Sequence, residues 1–186
     1  QWIGGTNSSW STASNWCGGV VGTTGRRVAF SEDASIDPIL DGNLVLAELN
    51  FNASGKKLKL GNYNLTVENI LGADSLNYIQ TTDTGSLLQT INHLDSFTFP
   101  VGLSSYNPVT ITNRTGSSDQ FSVYVFDEVY EGGGKGRGNT KSNTPRVQCT
   151  WEIGKVNTNA GSGVDFTFEW GGRKKQGSII NTTLNH

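Results

Sequence analysis

The chain has little of what catalytic and ion-handling proteins depend on. Its 186 residues include two cysteines, Cys17 and Cys149, and two histidines, His93 and His186. No CxxC pair is present and the histidines are isolated, which argues against a zinc framework. Charged residues make up 16% and apolar residues 34%, with a formal net charge of −2 and a pI near 5.6. A surplus of basic groups, the footprint of nucleic-acid or anionic-membrane binding, is therefore missing. Apolar runs fall far short of a bilayer span, so no membrane insertion is expected. Gly, Ser, Thr and Asn occupy the difference, a balance that suits an extracellular β protein. The start at Gln1-Trp2 reads as a mature end left by signal-peptide removal, with Gln1 able to cyclise.

Reactive constellations are equally sparse. His93 lies in Ile91-Asn92-His93-Leu94-Asp95 without a G-x-S-x-G elbow to supply a nucleophile. Asp165 and Glu169 sit on the polar face of a predicted strand, where exposed carboxylates are ordinary; a glycosidase-like pair is the competing reading. The glycine-rich stretch from Glu131 to Lys141 lacks the GxxxxGK[ST] order, and no helix pattern follows it. It reads as a loop between strands. No catalytic residue and no cofactor is expected. The acidic run containing Glu32, Asp33, Asp37, Asp41 and Asn43 could offer oxygen ligands to calcium, but it lacks EF-hand order and suits loop corners equally well. Sequons at Asn7, Asn52, Asn64, Asn113 and Asn181 arise readily in an Asn-, Ser- and Thr-rich chain and do not establish a compartment.

What is present is tryptophan at one end and β texture throughout. Trp2, Trp10 and Trp16 are spaced mainly by Gly, Ser, Thr and Asn, which disfavour helix and supply turns. Three of five tryptophans thus lie where chain ends usually fray. Two readings compete: the indoles plug the open end of a β core, or they form an exposed platform that stacks on sugar rings. The setting beside Cys17 and the following short strands favours the plug.

No segment sustains a helical apolar period, and short strand-like runs recur. In the first half these are residues 27–30, 44–51, 58–60, 65–67, 78–80 and 87–91, broken by Gly or Asn. Narrow rungs with such corners predict a β-solenoid-like part over residues 1–95. Leu58 to Val67 fits two rungs, although no strict repeat length is visible. Beyond Phe97 the runs 109–112, 121–126, 147–153 and 164–170 alternate with period two, predicting a β-sandwich-like part over 96–186. The fold class is all-β: a short parallel β-helix-like part followed by an antiparallel β-sandwich-like part. A Cys17–Cys149 disulfide would pin the two, closing a loop of roughly 130 residues worth up to about 4–5 kcal/mol. The alternative is two separate buried thiols.

Three segments in order carry a resemblance. They are Trp2-Ile3-Gly4-Gly5 leading to Ser11-Thr12-Ala13-Ser14-Asn15-Trp16; Phe99-Pro100-Val101-Gly102 followed by Tyr106-Asn107-Pro108-Val109; and Thr150-Trp151-Glu152-Ile153 leading to Asp165 through Trp170. Together they resemble large secreted and cell-surface proteins of Bacteroidota exported by type IX secretion, many of them adhesin-like. The resemblance implies an extracellular or cell-surface location, no catalytic residues, and a candidate O-glycosylation at Ser75 within Asp74-Ser75-Leu76. Gly22 departs from a usual proline, and no sorting domain follows residue 170. The resemblance therefore implies a piece of a longer polypeptide, or a unit completed by a neighbour's strand. The expected function is a non-enzymatic surface or adhesin module whose partners are other surface proteins or glycans. The alternatives are a filament or surface-layer subunit that self-associates by strand pairing, and a carbohydrate-binding module using Trp2, Trp10 or Trp16.

Overall fold

A computed structural model describes residues 1–127, 149–157 and 163–170, together with the backbone of Arg173–Lys175. The stretch from Glu131 to Lys141, Val147, the Asn181 sequon and His186 lie outside the described residues. Strands dominate. In chain order they are β1 (Arg27–Ala29), β2 (Leu44–Asn50), β3 (Lys57–Lys59), β4 (Leu65–Leu71), β5 (Tyr78–Gln80), β6 (Leu87–Ile91), β7 (Ser96–Phe99), β8 (Val101–Gly102), β9 (Val109–Asn113), β10 (Asp119–Phe126), β11 (Thr150–Lys155), β12 (Val164–Trp170) and β13 (Arg173–Lys175). Two short 3₁₀ turns, Ala13–Asn15 and Cys17–Gly19, precede them.

The first half is a parallel solenoid. Its coils stack through aliphatic ladders, because a parallel register places like residues directly above one another. Leu44 pairs with Leu65 and Leu65 with Leu87 on one face. Leu58 pairs with Ile79 and Ile79 with Val101 on the other. All of these but Leu44 are fully buried, and Leu44 is buried as well. Corners repeat too. Asn43 Oδ1 accepts the Asn64 N–H 21 residues on, and Asn64 Oδ1 accepts the Ser86 N–H 22 residues further. These bonds satisfy corner amides that no strand neighbour reaches. The chain therefore does have a coil length, of 21 to 22 residues. Lys57–Lys59 and Leu65–Leu71 prove to be two faces of one coil rather than two rungs, since β3 pairs with β5 while β4 pairs with β2 and β6.

Parallel pairing gives way to antiparallel pairing inside a continuous sheet. The six-stranded sheet runs β1-β2-β4-β6-β10-β11, and β10 lies antiparallel to both β6 and β11. A second, antiparallel sheet runs β13-β12-β9-β7. The third, β3-β5-β8, takes the solenoid's second face past residue 95 to Gly102. One hydrophobic cluster spans Trp2 to Phe168 and holds Leu46, Leu49 and Val67 of the solenoid together with Phe99, Ile111, Phe121 and Val123 of the antiparallel strands. The change of texture near residue 96 thus marks a change of strand direction within one core. Thr81 joins the two: its hydroxyl donates to Val125 O at 2.7 Å and accepts the Val125 N–H at 3.0 Å, fully buried. Asp119 and Lys155 close the other end of β10 and β11 with an ion pair of 3.1 Å, their side chains 1% and 7% exposed. Asp119 also accepts the N–H groups of Gln120 and Asn157 through Oδ1. Oδ2 makes no hydrogen bond of its own, so the desolvated carboxylate depends on the Lys155 ion pair together with the two N–H groups on Oδ1.

Candidate functional site

The sequence marked the tryptophans first, and the structure closes them off. Trp2, Trp10 and Trp16 are 0%, 4% and 2% exposed. Trp16 meets the other two edge to face, at 4.7 Å from Trp10 and 5.3 Å from Trp2, while Trp2 and Trp10 lie stacked at 6.2 Å. Each indole N–H is satisfied internally, by Ile36 O, Gly22 O and Trp10 O respectively. Buried Asn15 ties the surrounding turns, accepting the Thr6 and Asn7 N–H groups and donating to Asn7 Oδ1 and Ser9 O. A sugar ring has no indole face to stack on here. The stacking role for Trp2, Trp10 and Trp16 is thereby corrected to that of a plug. Gly22 belongs to it: a Cβ there would stand 2.7 Å from Trp16 and 2.8 Å from Val28.

The expected disulfide is corrected as well. Cys17 is an exposed free thiol beside the plug, whereas Cys149 is a buried free thiol next to β11. Burial pushes the Cys149 thiol up to about 12, with a smaller push from Asp127. Of the remaining candidates, His93 lies exposed in the turn after β6, where its Nδ1 accepts the Gly116 N–H at 3.1 Å. Asp165 pairs with Arg114 on the surface. Glu32 and Asp33 are exposed, Asp37 accepts the Lys57 N–H, and Asp41 accepts the Ser9 and Ser11 hydroxyls, both at 2.6 Å. The acidic run thus fastens corners of the solenoid to one another. Among the described residues no three His, Cys, Asp or Glu side chains gather as a metal site would require, and no helix is long and apolar enough to cross a membrane.

A different cluster of aromatics borders an open cleft of about 470 Å³. Its wall is assembled from the solenoid's second face with the bend before β5, from the loop after β8 and from the end of β12: Lys57, Ser75 and Tyr78, then Ser104, Ser105, Tyr106 and Pro108, then Glu169 and Trp170. The loop owes its shape to Gly102, where a Cβ would lie 2.0 Å from Ser105 O. Within it the Asn107 amide bonds to the carbonyl and hydroxyl of Ser105, and the Asn107 N–H reaches Val101 O. Tyr106 is held half-buried, its ring 5.6 Å from that of Tyr78. Trp170 is set by Trp151, edge to face at 6.2 Å, and Trp151 is anchored by its N–H on Asn107 O at 2.9 Å. One loop therefore positions both half-exposed rings.

Charge in the cleft is mixed. Lys57 Nζ donates to Leu76 O at 2.6 Å and lies 4.6 Å above the Tyr78 ring, a cation–π geometry. The Tyr106 phenol is pushed up to about 12, by burial first and then by the carboxylates of Glu169 and Asp74. It therefore stays protonated, a hydrogen-bond donor at any physiological pH. Ser75 is exposed on the rim, leaving its hydroxyl accessible.

Comparison of the chain with protein-family models, curated proteins and solved structures finds no match. Sequence reasoning found Glu169 and Ser75 for other reasons and quoted Tyr106 and Trp170 within motifs. Lys57, Ser104 and Ser105 carried no signal. Their meeting depends on the coil register and on the short loop fixed by Gly102.

Proposed function

We propose that this chain is a non-enzymatic module of an extracellular or cell surface, adhesin-like in type, that presents a recognition cleft on a rigid β body. The observation that carries the reading is the composition of the cleft. The solenoid's second face, the loop after β8 and the end of β12 converge there on half-buried rings and hydroxyls. Such a preformed concave surface binds without reorganising, and the continuous core beneath it limits the ordering cost of binding. The polar, weakly charged composition and the motif order shared with Bacteroidota secreted proteins support the location and type IX export. Labelling intact producing cells with a membrane-impermeant amine reagent tests it: the protein is expected to be modified without lysis. Modification only after lysis would overturn the surface reading.

A filament or layer subunit is the second reading, favoured by one feature. β7 ends the four-stranded sheet, so Ser96–Phe99 is an edge strand within the described sheet order. Light scattering over a wide concentration range separates the two, since a subunit grows in mass with concentration and a module does not.

A further inference from the structure

We infer that the cleft between Tyr106 and Trp170 is a binding site for neutral oligosaccharides. The inference rests on the adhesin-like reading above and names the ligand class of that cleft. A pyranose has two kinds of surface: faces of C–H groups that lie on aromatic rings, and a rim of hydroxyls that each donate and accept hydrogen bonds. The cleft matches both. Tyr106 and Trp170 are half-buried, with their other flank available to the cleft, unlike the sealed tryptophans of the plug. Around them stand the hydroxyls of Ser104 and Ser105, the Tyr106 phenol and the Glu169 carboxylate, a set of short donors and acceptors at the rim. The volume of about 470 Å³ falls within the range of about 300–1,000 Å³ usual for small-ligand sites.

Charge argues for a neutral sugar rather than an acidic one. The ammonium group of Lys57 donates to Leu76 O and lies over the Tyr78 ring, and it is the one cation among the described lining residues. Against that one cation stand the carboxylates of Glu169 and Asp74, which add to the upward push that burial gives the Tyr106 phenol and would repel a uronate, sialate or sulfate. An aliphatic ligand would leave the rim groups desolvated without partners.

The test is a glycan array carrying neutral, sialylated, uronic and sulfated oligosaccharides, probed with the full chain, followed by titration calorimetry on the best neutral hit. Binding to neutral glycans is expected, and Trp170→Ala should weaken it about tenfold or more while Trp170→Phe retains most of it. Urea unfolding of each variant confirms that the fold persists. Tyr106→Phe provides a second probe: it keeps the ring and should cost severalfold through the lost phenol donor. Absence of neutral-glycan binding by the folded protein overturns the inference, as does binding confined to acidic or sulfated glycans. Neutral binding unchanged by all three variants overturns the site. Failure of this ligand class is distinct from failure of the module reading: a chain that is labelled on intact cells yet binds no glycan keeps its surface role and loses this specificity.

Discussion

The plug and the cleft are both aromatic clusters, yet they use their rings in opposite ways. In the plug, three indoles cover one another and spend every N–H on a backbone carbonyl, so nothing polar or apolar is left over. In the cleft, Tyr106 and Trp170 are half-buried among serines and charged groups. The plug is read in free energy of folding. The cleft is read in binding. An aromatic cluster can thus be assigned to stability or to recognition by asking where its polar atoms go and which ring faces remain open.

That contrast can be broken or sharpened by substitution. The largest stability effect is expected for Trp2→Ala, which removes a fully buried ring and strands the Ile36 carbonyl; urea unfolding should show a loss of about 3–5 kcal/mol. Next comes Gly22→Ala, whose added methyl would press on Trp16 and Val28; a loss of about 1–3 kcal/mol is expected in the same measurement. Trp170→Ala should cost only about 1 kcal/mol, through its edge contact with Trp151. If Trp170→Ala proved as damaging as Trp2→Ala, the distinction between cleft and plug would fail.

Smaller effects probe titration and thiols. Tyr106 has its pKa raised from 10.0 to about 12 on folding, so the protonated phenol is favoured in the native state. Its contribution is fully present below pH 10 and is lost as pH rises toward 12, because the unfolded chain releases its proton first. Tyr106→Phe should flatten that part of the decline in urea midpoint, leaving the part due to buried Cys149, which falls from pH 9 toward 12. The smallest effect is expected for Cys17→Ser, under about 0.5 kcal/mol, since the thiol is exposed and unbridged. Thiol labelling of the native chain should modify Cys17 and reach Cys149 only in denaturant. Protection of both, reversed by reductant, would restore the disulfide.

Much of the architecture was legible because strands announce themselves through alternation. Residues 44–51, 78–80, 87–91 and 164–170 were read as strands and fold as β2, β5, β6 and β12. The coil length was not legible, since it is carried by a few Leu, Val and Ile positions and an Asn corner, while the intervening residues vary freely on the solvent side. The sequence also drew attention to the tryptophans as a possible sugar platform. Residue type alone cannot say whether a ring is covered, and here the covering comes from Phe30, Val28 and Gly22, which arrive only when the chain coils back.

Composition and period-two patterning determined by themselves that the chain would be β-rich and weakly charged, because these depend on each residue's own preference for water and for extended backbone. Tertiary structure alone decided which aromatics face solvent, that Cys17 and Cys149 stay apart, and that Lys57, Tyr106 and Trp170 share one cleft. Those outcomes depend on distances between residues far apart in the chain, set by the stacking of coils 21 to 22 residues long and by a loop that only glycine at position 102 can close.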